Sequence, residues 1–156
     1  MNLLAFQSLC RHVSESLAAD DIDALGESRP TTIQGETFEL LYPPEGGSAV
    51  LLTYLGRVDD EHARQVYEQL LLVQLTGWDN PDLRFGFDPV TGQVLLCTRL
   101  PALNELKEGA LTALLQRLLA QVEKWREELL KPVQVETPFA RFMAPDEASA
   151  ASPMVI

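Results

Sequence analysis

Apolar residues recur every three or four positions over the first eighteen residues, which is the spacing of one face of a helix. The pattern predicts an amphipathic helix from Asn2 to about Ala19. Two further leucines, Leu4 and Leu9, lie beside this stripe and widen the apolar surface of the helix. The stripe itself consists of Leu3, Phe6, Cys10, Val13 and Leu17.

Five strands are predicted from short apolar or alternating segments that are bounded by turn-forming residues. The first three are 31–34, 37–42 and 49–55, and the spacer PPEGGS before the third predicts a turn, because proline fixes φ and glycine permits positive φ. The other two, 83–87 and 93–100, flank the turn sequence DPVTG and predict a hairpin.

A second helix is predicted between the third and fourth strands, and it carries more leucine than one buried face can use. The acidic run 59–61 is suited to its N-terminus, and Leu72 and Leu75 fall on the far side of its main stripe. A helix that is apolar on more than one face is usually buried on more than one face. Either this helix crosses the middle of the domain, or its second face contacts another subunit. The main stripe is Ala63, Val66, Tyr67, Leu70, Leu71 and Val73.

A third, long helix is predicted from Asn104 to Leu130, and Pro132 ends it. The predicted fold is therefore α+β, in the order α-β-β-β-α-β-β-α, with a mainly antiparallel twisted sheet packed by helices. Residues 1–131 form the expected domain, and 132–156 are expected to be a mobile tail that contains proline, alanine and serine. The one apolar cluster of the tail is PFARFM, which could dock onto the domain or a partner.

Size and charge narrow the class of protein. A chain of 156 residues fits one domain, and its 23 acidic residues against 12 basic ones give a net charge of −11. This balance repels a phosphate backbone, so no nucleic-acid partner is expected. No apolar run approaches the ~20 residues of a membrane span and no signal peptide is recognisable, so we expect a soluble, cytoplasmic protein without a membrane partner.

No pattern in the sequence predicts a catalytic, cofactor or metal site. The two histidines, His12 and His62, lack ligands at metal-binding spacing, and no nucleophile-elbow, phosphate-loop or dinucleotide-binding motif occurs. Acidic pairs such as 59–60 fit helix ends better than general acid–base chemistry. We expect both cysteines, Cys10 and Cys97, to be buried thiols. We therefore expect a protein that is not an enzyme.

Four segments resemble the class I chaperones of type III secretion, the Tir chaperone (CesT) family. They are MNLLAFQSLCRHV at the N-terminus, AVLLTYLGRV leading into YEQLLLVQL, LRFGFDPVTGQVLLCTRLP, and the helix end VEKWREELL. The resemblance covers roughly residues 1–130. It implies a non-catalytic homodimer in the bacterial cytoplasm, which binds an extended N-terminal segment of an effector and keeps it soluble and secretion-competent. It also suggests the secretion-apparatus ATPase as a further candidate partner.

Two other classes stay open on the sequence alone. A dimeric α+β regulator or adaptor acting outside secretion would have a similar shape, and a small enzyme would need a polar pocket that the sequence does not reveal. If the resemblance holds, the second helix supplies the dimer interface, and the first helix and first sheet segment supply the effector-binding surface. The expected dimer residues are Tyr67, Leu71, Leu72, Leu75 and Trp78. The expected effector-binding residues are Leu3, Leu4, Leu9, Leu41, Val50, Leu52 and Tyr54.

The third strand contains two alternating sets of apolar residues. Val50, Leu52 and Tyr54 alternate with Leu51 and Thr53. Successive side chains of a strand point to opposite faces, so one set can face the core and the other a client. The sequence leaves open which set does which.

Overall fold

A computed structural model describes residues 1–43, 45, 47–77, 80 and 83–132, and of Leu83 the backbone only. The predicted order α-β-β-β-α-β-β-α is confirmed, and the tail beyond Pro132, including PFARFM, lies outside these ranges. A short 3₁₀ turn after the first helix, Leu25–Glu27, was not predicted. The elements are α1 (Leu3–Ser16), β1 (Thr31–Ile33), β2 (Glu36–Leu41), β3 (Ser48–Arg57), α2 (Ala63–Thr76), β4 (Leu83–Asp88), β5 (Gln93–Ala102) and α3 (Glu108–Leu129).

The strands form one antiparallel sheet in the order β1-β2-β3-β5-β4. β1 and β2 are joined by a two-residue turn in which Gln34 and Gly35 both have positive φ, 51° and 84°. Such turns match the twist of the flanking strands, and glycine adopts positive φ without strain. Because β1 and β4 stand at the two ends of the strand order, they are the edge strands of the sheet.

The alternation along β3 shows which side of the sheet is the core. Ala49, Leu51 and Leu55 are fully buried, whereas Val50 and Leu52 are only half-buried. The buried set joins the cluster that contains the inward residues of α1, α2 and α3. The three helices therefore pack on one face of the sheet, and the residues between the buried ones point to the opposite face.

The first helix follows its predicted stripe over most of its length. The side chain of Asn2 caps it by accepting a hydrogen bond from the Ala5 amide at 2.9 Å. Phe6, Cys10 and Val13 are fully buried, whereas Leu3, which is on the same stripe and among the expected effector-binding residues, is 46% exposed. The buried part of the stripe therefore begins one turn into the helix.

One arginine of the third helix forms hydrogen bonds to the sheet. Arg126 donates from Nε to the Leu55 carbonyl at 2.6 Å, and both of its terminal nitrogens bind the Glu36 carboxylate. The helix begins at Glu108 rather than at the predicted Asn104, because a turn before it places Leu103 and Leu106 in the core. No helix within the described ranges is both long and apolar enough to cross a membrane.

The second helix differs most from its prediction. It begins at Ala63, after the acidic run, so the predicted capping by residues 59–61 is displaced by one turn. Its buried residues are Val66 and Leu70, whereas Leu71, which is in the predicted main stripe and also among the expected dimer residues, is 65% exposed. The helix lies beside the edge strand β4, where the sheet offers it only a narrow contact, and one line of side chains fills that contact.

Candidate functional site

The outer side of α2 forms an exposed apolar surface together with β4. Leu71 and Leu75 are 65% and 64% exposed, and they lie one helical turn apart. The ring of Tyr67 meets that of Phe87 edge-on, with centroids 5.8 Å apart, and Phe87 is itself 51% exposed. We call Tyr67, Leu71, Leu75 and Phe87 the α2 surface. Large apolar groups clustered in this way commonly mark a protein-interaction site.

A polar contact fixes α2 against the edge strand. The side-chain oxygen of Gln74 accepts a hydrogen bond from the Phe85 amide at 2.8 Å. Phe85 and Phe87 alternate along β4, so this bond sets the position of both rings relative to the helix. The helix and the strand that form the α2 surface are therefore fixed relative to each other by this hydrogen bond, in addition to the contacts of the exposed side chains.

The predicted dimer residues are not all in equivalent positions. Leu71 and Leu75 are exposed, Tyr67 and Leu72 are half-buried, and Trp78 lies outside the described residues. Phe87 was not among the predicted interface residues, because the sequence placed it only within the predicted strand 83–87. Its position at the end of β4, next to the turn, was the available signal.

A second exposed apolar patch lies at the start of α1. Leu4 is 76% exposed and Leu3 46%, and Met1 adds a third exposed side chain beside them. Leu9 is half-buried and packs against the core cluster. We call Met1, Leu3 and Leu4 the α1 tip. It is on the helical side of the sheet, because Phe6 in the next turn is part of the core.

The remaining predicted effector-binding residues lie on the other side of the sheet. Leu41 pairs with Val50, and the next open-face pair is Glu39 with Leu52, so their side chains share one face with Tyr54. Leu41 is 38% exposed, and Val50, Leu52 and Tyr54 are half-buried. We call Leu41, Val50, Leu52 and Tyr54 the open sheet face. The structure therefore divides the predicted effector-binding residues between two opposite sides of the sheet.

The open sheet face continues across β5. Leu95 pairs with Tyr54, and Cys97 pairs with Leu52, so both side chains extend this apolar strip. Neither was predicted as a binding residue, although the pairing of two adjacent strands with alternating apolar residues would have indicated them. The Tyr54 hydroxyl donates to the Glu39 carboxylate at 2.8 Å, and burial, followed by this bond, raises the pKa of Tyr54 to about 12.

The pKa shifts of the two cysteines and of Asp59 are explained by burial and by hydrogen bonds within a turn. Burial raises the pKa of the Cys10 thiol to about 12 and also raises the pKa of Cys97, which disfavours the nucleophilic thiolate. Asp59, Glu61 and His62 place potential metal-ligand atoms within 4.8 Å of one another. Asp59 already pairs with the His62 ring at 3.0 Å and accepts from the Glu61 amide at 3.4 Å. These bonds, of which the one to His62 has the largest effect, lower the pKa of the Asp59 carboxyl. The three side chains are close together because their residues form the turn before α2.

Comparison with known families gives a match over the sheet and most of the third helix. The Tir chaperone protein (CesT) family matches residues 30–126, which is more than half of the chain and runs from the start of β1 into the last turn of α3. Helix α1 precedes the matched region. No curated protein is matched by the sequence.

Several solved structures resemble the fold, and two of them are complexes. One is the crystal structure of the ExsC–ExsE complex, with 21% identity and a TM-score of 0.61 over 84% of this chain and 98% of the other. The other is the HopA1–SchA chaperone–effector complex, with 20% identity and a TM-score of 0.55 over 80% of this chain and 95% of the other. At these identities the likeness establishes a shared fold across nearly the whole of each compared chain.

Proposed function

The chain belongs to the Tir chaperone protein (CesT) family and is a type III secretion chaperone that binds an effector, and we propose that it holds an extended N-terminal segment of that effector in a secretion-competent form. The observation that carries the proposal is the presence of two exposed apolar patches and an apolar open sheet face on one small acidic domain. One of the two similar structures is described as a chaperone–effector complex.

The proposed mode of action requires no chemistry. The chaperone acts by covering apolar side chains of a client that would otherwise aggregate, while its charge of −11 keeps the assembly soluble. A segment that is disordered before binding loses conformational entropy when it binds, so a large contact surface is needed to offset that cost. We accordingly propose a non-catalytic protein of the bacterial cytoplasm, with the secretion-apparatus ATPase as a further partner.

We assign the dimer contact to α2. Its outward residues include Leu71 and Leu75, and the adjacent edge strand β4 adds Phe87. Aromatic and large aliphatic side chains at the centre of an interface usually provide most of its binding energy. The proposed interface consists of Tyr67, Leu71, Leu72, Leu75 and Trp78, with Phe87 as an addition from the structure.

We assign effector binding to the α1 tip with Leu9 and to the open sheet face. An extended segment can bind a sheet through side-chain pockets on its face and through backbone hydrogen bonds at an edge strand. The edge strand β1 is next to β2, which carries Leu41, so a client that adds to this edge can also reach the open sheet face. Because the predicted residues occupy both sides of the sheet, the client would pass around this edge and contact both.

The test of the proposed function is the capture and mapping of the client. The chain is expressed with an affinity tag in bacteria that have a type III secretion system, and the bound protein is identified and digested with protease. We expect one protected segment near the N-terminus of a secreted protein. Protection of a folded domain, or of a protein that is not secreted, would contradict the proposal.

Leu4→Glu combined with Leu41→Glu tests the surface assignment. Each buried apolar anchor contributes about 1–3 kcal/mol of transfer free energy, so client affinity should fall by orders of magnitude while the circular dichroism spectrum is unchanged. Val90→Glu is the matched control, because Val90 is 92% exposed in the turn between β4 and β5. An equal loss of affinity in the control would indicate a general charge effect instead of a specific surface.

A further inference from the structure

A groove between α3 and the C-terminal half of β5 is distinct from the surfaces assigned above. It encloses about 460 Å³, which is within the range of pockets that bind ligands or anchor side chains. We propose that residues 138–143 of the same chain, PFARFM, bind in this groove and cover it. The proposal concerns the C-terminal tail and does not depend on effector binding.

The groove is lined mainly by apolar side chains. Leu100, Leu111 and Leu118 are almost fully buried and form its floor, whereas Leu114 and Trp125 on α3 are only half-buried. A half-buried tryptophan above an apolar floor leaves one face of a large ring available to a further apolar group. Two phenylalanines and a methionine, as in PFARFM, are suited to such a site.

The charge of the groove differs from that of the chain as a whole. Its rim carries Arg117 of α3, and among the described residues that line it none is acidic. The Arg117 guanidinium is not within ion-pairing distance of a carboxylate in the part of the chain that the structure describes. The apolar cluster of the tail is followed by Asp146 and Glu147. The cluster itself contains Arg141, so the charge complementarity with the basic rim rests on the acidic pair that follows the cluster.

The length of the tail allows this contact within one chain. The groove runs along α3 from Trp125 towards Leu114, a span of eleven residues or about 17 Å of helix. Phe139 is seven residues beyond Pro132, so an extended connection reaches about 25 Å. That length is enough for the chain to turn back at the end of α3 and place Phe139 and Phe142 along the groove.

Photo-crosslinking in the full chain tests the proposal directly. With para-benzoylphenylalanine at position 139, irradiation should give a product of monomer mass in which the tail is joined to residues of α3 or β5, as identified by peptide mass spectrometry. Arg117→Glu should lower the yield severalfold. Lys124→Glu is the matched control, since this lysine is on the same helix but does not line the groove, and it should leave the yield unchanged.

An independent readout uses the tryptophan in the groove. In the full chain labelled with 5-fluorotryptophan, the ¹⁹F resonance of Trp125, assigned through Trp125→Phe, should shift when Phe139→Ser and Phe142→Ser are combined. Val155→Ser, a similar change elsewhere in the tail, should not shift it. Crosslinked products of dimer mass would show that the groove binds the tail of a second copy, and they would overturn the proposed contact within one chain. Crosslinks to the α2 surface, or none, with an unchanged resonance, would overturn the proposal.

Discussion

Individual residues show where sequence periodicity is a sufficient guide to burial. Phe6, Cys10 and Val13 follow the helical period and are fully buried, as predicted. Leu3 and Leu71 follow the same kind of period but are 46% and 65% exposed. Periodicity identifies the apolar side of a helix, but it does not show which part of that side is covered by other elements. The covered part is set by neighbouring elements that are distant in sequence.

The exposed leucines of α2 lead to a prediction about association. Leu71→Asp with Leu75→Asp should yield a monomer with an unchanged fold, because both side chains are mainly in solvent within one subunit. Each interface anchor of this size contributes about 2 kcal/mol or more, so dimer affinity should fall roughly thirtyfold or more per residue. Light scattering at micromolar concentration measures the mass, with Val90→Asp as the control. A monomeric mass for the unmodified chain would refute the α2 dimer.

The two cysteines should differ in reactivity. Cys10 is fully buried with a pKa near 12, so alkylation by iodoacetamide at pH 8 should require unfolding. Cys97 is half-buried, and we expect it to react slowly in the folded chain. Its raised pKa means that its rate should continue to rise with pH above the ordinary range of a thiol, because the thiolate is the reactive form.

The same measurement also locates the client. Cys97 lies on the open sheet face beside Leu52, so saturation with effector should slow its alkylation while Cys10 is unaffected. Peptide mass spectrometry distinguishes the two sites. If effector binding left the rate at Cys97 unchanged, the client would not cover this part of the sheet.

At the scale of elements, the sequence predicted the kinds of structure better than their boundaries. The hairpin of β4 and β5 was predicted because turn residues at 88–92 separate two alternating apolar segments. The start of α2 was misplaced because acidic residues at 59–61 resemble a helix cap, although they form a preceding turn stabilised by Asp59 and His62. The orientation of β3 could not be predicted, since both of its alternating sets are apolar and only the position of the helices distinguishes them.

The attachment of α3 to the sheet gives a prediction about stability. Arg126→Ala removes the bonds to Glu36 and to the Leu55 carbonyl, and it leaves a carboxylate that is only 20% exposed without its partner. The free energy of unfolding should fall by about 1–3 kcal/mol.

Urea denaturation of Arg126→Ala and Lys124→Ala provides the comparison. Lys124 pairs with Glu128 on the exposed side of the same helix, and such pairs contribute at most about 0.5 kcal/mol. Similar losses for both variants would mean that the contacts of Arg126 have no special weight.

At the scale of the whole molecule, the core formed by the described residues ends close to the predicted domain boundary. Its residues extend from Phe6 to Leu130, and Leu130 itself is only 7% exposed. The predicted domain end at residue 131 lies just after this core. The proposed role of the tail concerns residues beyond it. The family resemblance stated from the sequence is confirmed by the match over residues 30–126.

Removal of the tail should therefore leave a cooperative fold. A chain ending at Pro132 should melt within a few degrees of the full chain, because the sequence beyond residue 132 contributes few apolar residues to any periodic stripe. Differential scanning calorimetry of both chains measures the difference. A chain ending at Lys124 is the informative comparison, since it lacks Arg126 and Leu130 and should lose its cooperative transition. If the chain ending at Pro132 lost it too, residues beyond 132 would belong to the core.

The alternation along β3 also bears on how such a protein can diversify over evolutionary time. Substitutions at Leu51 and Leu55 alter packing beneath the helices, whereas substitutions at Val50 and Leu52 alter only the opposite face. Under the proposed assignment of the open sheet face to the client, selection for a new client acts on every second position of the strand, while selection for folding acts on the positions between. Adjacent codons then experience separate constraints, and recognition can drift between lineages without loss of the scaffold.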